Sequence, residues 1–186
     1  MLKSFLFNSV RVKHVPWHGQ GVHPVTGTAF YVSSDGRYGV RVYPDGRKEL
    51  CNATPCKHEN SNKNYCRGQN RYLQFKHVWT CGVHILVSHA VYLAWRGPIE
   101  PGMTIDHIDG VSTNNDYRNL RCVSRAINIR DGAFLRKLKK AGFDPTKLPR
   151  WMILRYFERM AKFKETHIAA EYKNLSVEQL KHILYL

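Results

Sequence analysis

Residues 102–120 read GMTIDHIDGVSTNNDYRNL, and the fold is predicted from the pattern that begins here. A short apolar run, MTIDHI, ends close to the adjacent pair Asp106 and His107, and this run predicts a strand. An asparagine-rich loop follows, LRCVS predicts a second strand, and SRAINIRDG predicts a helix with Ser124 as its N-cap. Residues 103–131 are therefore expected to form a strand, a loop, a strand and a helix in that order.

A carboxylate, an imidazole and several side-chain amides in so short a stretch fit the hydrolysis of a phosphodiester. A water molecule must be activated beside the phosphate, and a divalent cation must screen the charge that builds on the leaving oxygen. A neutral histidine can take the water proton, and carboxylate and amide oxygens suit Mg²⁺. Adjacent strand residues point to opposite faces, so Asp106 and His107 share a site only if the strand bulges or ends irregularly, or if the metal lies between them.

The longer stretch TIDHIDGVSTNNDYRNLRCVSRAINIRD closely resembles the HNH endonucleases, specifically phage and intron-encoded homing endonucleases with a ββα-metal fold. The pattern is Asp-His, an Asp-Gly shortly after, Asn-Asn, Asn-Leu-Arg, and an asparagine on the following helix. The resemblance covers about residues 87–131, and FYVSSDGRYGVRVYPDGRK is more weakly similar to the N-terminal β module of these proteins. Cys122 departs from the family, which commonly has an aromatic residue after Asn-Leu-Arg.

The resemblance implies an α+β fold, in which a ββα-metal nuclease core carries an N-terminal β region and a helical C-terminal tail. It implies that His107 is the general base and that Asn119 is the structural asparagine of the motif. Asp106 and Asn128 would hold a divalent metal, Mg²⁺ with Mn²⁺ as the alternative. We expect Asn114 and Asn115 to have a purely structural role in the loop, because asparagine suits turns through local hydrogen bonds.

The function implied by the resemblance is a metal-dependent HNH endonuclease that nicks or cuts double-stranded DNA, a homing endonuclease of phage or mobile-intron type. A monomer with one motif would nick, and a double-strand break would need a homodimer or two successive nicking events. The alternative is a catalytically inactive DNA-binding regulator that retains the HNH fold. A third interpretation is a nuclease or binding protein that acts on RNA. The basic charge of the chain is compatible with RNA as well as with DNA.

The charge of the chain also favours a nucleic-acid partner. The formal net charge is +15 and the sequence pI is about 9.8. Residues 1–50 contribute 7 − 3 = +4, residues 51–130 contribute 10 − 5 = +5 and residues 131–186 contribute 12 − 6 = +6. A solvated basic surface without a partner is the alternative. The residues predicted to contact DNA are basic side chains in and after the motif: Arg121, Arg125, Arg130, Arg155, Arg159 and Lys162.

Three regions are predicted along the chain. Residues 1–70 form a β-rich region with a polar loop and a DNA contact, residues 71–131 form the nuclease core, and residues 132–186 form a helical DNA-binding region. The pairs Asp35-Gly36 and Asp45-Gly46 predict hairpins with type I′ turns. The segment DPTKLP, which ends at Pro149, predicts a hinge before the tail, and SVEQ predicts a capping box at the last helix.

The remaining composition predicts a cytoplasmic protein, in the host cell cytoplasm if it is phage-encoded. No apolar run approaches the roughly 20 residues of a membrane span, and the N-terminus does not resemble a signal peptide. The five cysteines favour a reducing compartment. Cys51, Cys56, Cys66 and Cys81, with His58 nearby, have irregular spacings, so buried thiols are expected rather than a structural zinc.

Overall fold

The computed structural model describes residues 3–16, 21–56, 72–79 and 82–185. Its strands follow one another along the chain as β1 Ser4–Phe7, β2 Val10–Val15, β3 Ala29–Ser33, β4 Gly39–Val42, β5 Lys48–Cys51, β6 Ala53–Pro55, β7 Leu73–Lys76, β8 His84–Leu86, β9 Met103–His107 and β10 Leu120–Ser124. Its α-helices are α1 Val87–Trp95, α2 Arg125–Lys140, α3 Arg150–Thr166, α4 Ala169–Lys173 and α5 Val177–Tyr185. The predicted α+β class is confirmed.

The N-terminal part is an antiparallel sheet in the order β1-β2-β3-β4-β5. Alternation along β3 gives the sheet two apolar faces, because Phe30 and Val32 join the core that contains α1 while Tyr31 packs in a second cluster. The turn between β1 and β2 consists of Asn8 and Ser9, whose φ angles are 45° and 62°. The sequence did not reveal this turn, since Asn-Ser lacks the glycine that usually marks two consecutive positive φ angles.

Both predicted Asp-Gly hairpins are present, but their turn type was predicted wrongly. Gly36 and Gly46 have φ angles of 72° and 85°, whereas the non-glycine residues with positive φ in the described chain are Asn8, Ser9 and His77. Each aspartate instead uses its side chain: Asp35 Oδ1 accepts a hydrogen bond from Arg37 N at 3.1 Å, and the Asp45 carboxylate accepts one from Arg47 N at 2.9 Å. The aspartates therefore stabilise the turns through side-chain hydrogen bonds.

The chain divides into two compact units, and the first contains residues 1–107 and 112–122. It comprises the five-stranded sheet, the antiparallel sheet β6-β7-β8 and helix α1, and it contains β9, which pairs with β10. Helix α1 is largely apolar and packs in the same core as Phe30, Phe75 and Leu120. Trp95 Nε1 donates to Val32 O at 3.1 Å, which fastens the end of α1 to β3.

The second unit contains residues 108–111 and 123–186 and is helical. Phe134, Ile153, Tyr156 and Phe157 are buried in its core. Tyr156 Oη donates to Phe134 O at 3.2 Å, and burial raises the pKa of this phenol well above its ordinary value.

Two basic side chains donate hydrogen bonds to backbone carbonyl groups at the C-termini of helices within this second unit. Arg159 Nη1 donates to Ile183 O at 3.1 Å at the end of α5. Lys137 Nζ donates to Tyr172 O at 2.9 Å and to Lys173 O at 3.2 Å at the end of α4. Cations at these positions also interact favourably with the negative end of the helix dipole.

The helix predicted for SRAINIRDG is confirmed as α2, and the predicted helical C-terminal tail is confirmed by α3, α4 and α5. The capping box is confirmed, since Ser176 N donates to Gln179 Oε1 at 2.8 Å and Gln179 N donates to Ser176 Oγ at 3.1 Å. The segment predicted as a hinge is instead a 3-10 turn, Pro145–Lys147, inside the second unit. No helix within the described ranges is long and apolar enough to cross a membrane.

The division into residues 1–70, 71–131 and 132–186 stays a prediction. Its first boundary lies outside the described residues, and its second falls within the continuous helix α2.

Replacing Gly36 by alanine should destabilise the first unit strongly. A Cβ at this position would lie 2.4 Å from Val87 Cγ1 and 3.3 Å from Asn115 Cβ, on a backbone with a φ of 72°. We expect a loss of about 2–5 kcal/mol in the free energy of unfolding, of which about 1–2 is backbone strain and about 1–3 is overpacking. Gly46→Ala is the control: its φ is 85° and no described atom lies within 4 Å, so only the strain should remain. If urea denaturation showed that Gly36→Ala and Gly46→Ala lose equal free energies of unfolding, the packing argument would be contradicted.

Candidate active site

The imidazole of His107 is held by a side-chain amide. His107 is the last residue of β9 and is 5% exposed. Its Nε2 lies 3.1 Å from Asn115 Oδ1, and its ring centroid lies 6.2 Å from that of Tyr72. Asn115 is 3% exposed, and its Nδ2 donates to Thr113 O at 3.2 Å. Asn115 therefore does more than shape the loop, which is all that the sequence predicted for it.

Asp106 has a different partner from its neighbour His107. Arg121, on the paired strand β10, donates to Asp106 Oδ2 from Nη2 at 2.6 Å and from Nε at 2.9 Å. Both side chains are largely buried, so this ion pair is only weakly screened by solvent. Arg121 was predicted to contact DNA, and the structure shows that it holds the predicted metal-binding carboxylate.

Asn119 closes the loop that precedes β10. It is fully buried, its Nδ2 donates to Asn114 O at 2.9 Å, and its backbone N donates to Asp116 O at 2.7 Å. Tyr117 N donates to Ser34 O at 2.8 Å, which ties the same loop to the turn between β3 and β4. These bonds show that Asn119 supports the loop, while its role as the structural asparagine of the motif stays a prediction.

Asn128, the other predicted metal ligand, lies in the second unit on α2 and is half-buried. The helix starts where the sequence predicted, because Ser124 Oγ accepts from Ile127 N at 3.3 Å. In the same unit Asp109 Oδ1 accepts from Val111 N at 2.8 Å and so caps the turn at Gly110, whose φ is 70°. A carboxylate and an amide oxygen are hard ligands, and this donor chemistry fits Mg²⁺ or Mn²⁺.

The remaining predicted DNA contacts fall into two groups. Arg125, Arg155 and Lys162 are exposed, and their contact with DNA stays a prediction. Arg130 Nε donates at 2.8 Å to the buried carboxylate of Asp131, and Arg159 holds the end of α5, so both guanidinium groups have structural partners.

Other exposed residues on α2 and α3 were missed by the sequence analysis. Ile129 and Trp151 are 62% and 61% exposed, and Arg136 and Lys140 are also exposed. On α2 the spacing of Arg125, Ile129, Arg136 and Lys140 places them along one side of the helix, and this period could have been recognised in the sequence.

His89 lies near the candidate base. It belongs to α1, and burial lowers its pKa, with a further lowering from the charge of His107. His89 Nδ1 is buried without a hydrogen-bond partner in the described part of the chain. The lowered pKa favours the neutral form of this ring.

The structure contains no cluster of three or more His, Cys, Asp or Glu side chains with metal-binding geometry in the ranges that it describes. Of the cysteine group, Cys66, Cys81 and His58 lie outside those ranges, while Cys51 and Cys56 are buried. The expectation about structural zinc therefore stays a prediction. Cys122 packs against the core of the first unit, in line with its small apolar character.

Residues 82–130 match the sequence profile of a family described as HNH endonuclease. A solved structure described as "DNA binding and cleavage by the HNH homing endonuclease I-HmuI" is 19% identical, with 73% of this chain and 62% of that chain covered and a TM-score of 0.38. The chain thus spans less than two thirds of the length of that protein. No curated protein matches the chain. The resemblance to HNH endonucleases is confirmed over residues 82–130, a segment that contains every residue predicted for the catalytic and metal site.

Replacing Asn119 by alanine should lower stability, because the carbonyl of Asn114 would lose the hydrogen bond from the buried Asn119 amide. We expect a loss of about 1–3 kcal/mol, visible as a lower Tm in thermal unfolding. Arg118→Ala is the matched control in the same loop: the Arg118 side chain is exposed, so the loss of its ion pair with Asp116 should change the Tm little. An Asn119→Ala protein with unchanged melting and no activity would contradict the structural role.

Proposed function

We propose that this chain is a metal-dependent HNH endonuclease that hydrolyses phosphodiester bonds in double-stranded DNA, of the homing type encoded by phages or mobile introns. The observation that carries the proposal is a histidine held by a buried amide inside the segment that matches the HNH endonuclease profile. The charge of +15 supports a polyanionic substrate.

In this proposal His107 is the general base. Its imidazole accepts a proton from water while the water oxygen bonds to phosphorus and the bond from phosphorus to the 3′ oxygen breaks. The products are a 5′-phosphate and a 3′-hydroxyl end. The anchored amide of Asn115 and the burial of the ring keep the imidazole in one orientation, which reduces the entropic cost of reaching the reactive geometry.

The carboxylate of Asp106 and the amide oxygen of Asn128 would hold one divalent cation, Mg²⁺ with Mn²⁺ as the alternative. When bound, the cation neutralises negative charge on the scissile phosphate and the leaving oxygen. Arg121 fixes Asp106 through two hydrogen bonds to the same oxygen, so this carboxylate is oriented before any ion arrives.

The exposed basic side chains of the second unit would bind the phosphate backbone of the DNA. Arg125, Arg136 and Lys140 follow one side of α2, and Arg155 and Lys162 are exposed two turns apart on α3. Basic residues on phosphates position a protein on DNA without reading its sequence.

Helices α4 and α5 offer a way to read bases. Three residues, 174–176, connect them, which is the connection length of a helix-turn-helix motif. The exposed side of α5 carries Glu178, Lys181, His182 and Tyr185, all of which can hydrogen-bond to base edges in a major groove.

His107→Ala should slow nicking strongly without abolishing DNA binding. We expect the wild-type protein to nick supercoiled plasmid with Mg²⁺ or Mn²⁺, EDTA to stop the reaction, and His107→Ala to lower the rate by about 10²–10⁴-fold. His84→Ala is the matched control, because His84 is exposed on β8. If His107→Ala nicks like the wild type, the assignment of the base is wrong. If neither protein cuts DNA but both shift it in a gel, the chain is the inactive DNA-binding regulator.

Removing two phosphate contacts from α3 should change the salt dependence of DNA binding. For Arg155→Ala combined with Lys162→Ala, we expect the slope of log K against log salt to fall by about 2, since each contact releases roughly 0.9 of a counterion. Fluorescence anisotropy with a short duplex measures the slope. Arg159→Ala is the contrasting variant: its guanidinium holds the end of α5, so its Tm should fall while its slope stays near that of the wild type. An unchanged slope in the double variant would mean that Arg155 and Lys162 do not contact the phosphates of the DNA.

A further inference from the structure

We infer that Tyr72 contacts the substrate, with its ring packed against the deoxyribose next to the phosphate that is cleaved. The inference rests on the proposed function, because it names a further residue by which the same site would hold duplex DNA. Tyr72 immediately precedes β7, far from His107 in the sequence, and no local pattern of residues marks this role.

The ring of Tyr72 packs beside the imidazole of the candidate base. The two ring centroids lie 6.2 Å apart, and the ring planes are inclined by 47°. This separation is within the range of about 4.5–7 Å in which aromatic rings contact one another. Tyr72 and His107 both belong to the first unit, so the contact is internal to one compact body.

Tyr72 is exposed although its neighbours at the site are buried. His107 and Asn115 are 5% and 3% exposed, whereas Tyr72 is 44% exposed. Aromatic side chains that serve as packing in the first unit, such as Phe30 and Phe75, are fully buried. A large exposed ring next to a buried imidazole is therefore more typical of a contact surface than of core packing.

The position that the phosphate takes beside His107 brings the neighbouring nucleotide to Tyr72. In the proposed reaction a water molecule lies between the imidazole and the phosphorus, and each of these two contacts is about 3 Å long. The phosphorus then lies roughly 6 Å from the base, a distance comparable with the 6.2 Å between the two rings. Because only a small part of the imidazole surface is exposed, a substrate that reaches this part also meets the exposed ring beside it.

The backbone holds Tyr72 in place. Cys56 N donates to Tyr72 O at 2.9 Å, and the next pair of residues, Pro55 and Leu73, belongs to the antiparallel ladder of β6 and β7. Phe75, in the same strand, is fully buried in the core. A ring carried by a fixed strand loses little conformational entropy when it binds, since only its side-chain torsions are free.

An uncharged aromatic ring suits a place beside the general base. A lysine or arginine so close to His107 would oppose the formation of the imidazolium during proton transfer. The ring of a tyrosine contacts the C–H groups of deoxyribose without adding charge, and it supplies a large, rigid contact area. The basic side chains of the second unit would bind phosphates, whereas Tyr72 aligns the sugar at the reacting centre.

Photochemical cross-linking locates the contact directly. Tyr72 is replaced by p-benzoylphenylalanine, which keeps an aromatic ring, and the protein is irradiated on a DNA duplex that contains a mapped nicking site, with EDTA present to prevent cleavage. We expect a cross-link within about two nucleotides of the nicked phosphate, since 6.2 Å corresponds to roughly two steps of about 3.4 Å along a strand. The same replacement at Leu50, which is 42% exposed in the same unit, is the control and should give no cross-link there.

Nicking kinetics test whether the ring itself matters. We expect Tyr72→Ala to lower kcat/KM roughly 10- to 100-fold, because the sugar is no longer aligned, while Tyr72→Phe stays within about twofold of the wild type. Leu50→Ala should behave like the wild type. A folded Tyr72→Ala protein with wild-type kcat/KM would overturn the inference, and so would a Tyr72→Phe protein as slow as Tyr72→Ala. Cross-links that map far from the nicked phosphate would overturn it even if Tyr72→Ala did not fold.

The cross-link does not depend on cleavage, so failure of this inference can be told from failure of the proposed function. A protein that cuts no DNA, but cross-links to a duplex from position 72 and not from position 50, would support the contact with DNA and contradict the endonuclease proposal. A protein that nicks DNA at a mapped site but cross-links elsewhere would contradict the role of Tyr72 alone.

Discussion

The hydrogen bond between His107 Nε2 and Asn115 Oδ1 is the interaction on which the candidate site depends. An amide oxygen is a neutral acceptor, so it orients the ring without adding a charge that would favour the imidazolium. The amide is in turn oriented by the carbonyl of Thr113. The backbone of the loop therefore determines the orientation of the ring. A general base needs this kind of restraint, because misplacement of its nitrogen by about 1 Å can cost a large factor in rate.

Adjacent residues on one strand serve the site through separate partners. Asp106 turns to Arg121 on the paired strand and His107 turns to Asn115 in the loop, as expected when successive side chains leave a strand on opposite faces. Adjacent strand residues that point to opposite faces are not expected to share a site. The position of His107 as the final residue of β9 explains in part how Asp106 and His107 can do so. The ion pair keeps the carboxylate in a defined position, whereas the imidazole is fixed by a bond that carries no net charge.

Local signals in the sequence predicted the elements around the site correctly. The N-cap at Ser124, the capping box at Ser176 and the Asp-Gly hairpins all depend on residues within a few positions of one another. Contacts between distant parts of the chain were not predictable in this way. The bond from Tyr117 to Ser34 and the one from Arg159 to the end of α5 join segments far apart in sequence, and nothing local marks them. Asn115 was missed for the same reason, since its partner depends on the path of the loop.

The loop takes its path from the N-terminal sheet, and this bears on how the first unit works. Gly36 leaves room for Val87 and Asn115, and the Ser34 carbonyl in the same turn accepts a hydrogen bond from the loop. A side chain at position 36 would press on the residue that orients His107, although it touches no catalytic atom. The β-rich region was predicted as a DNA contact, and the structure shows that it supports the loop that holds His107. Because packed interiors transmit strain, a displacement of this turn would reach the imidazole through Asn115.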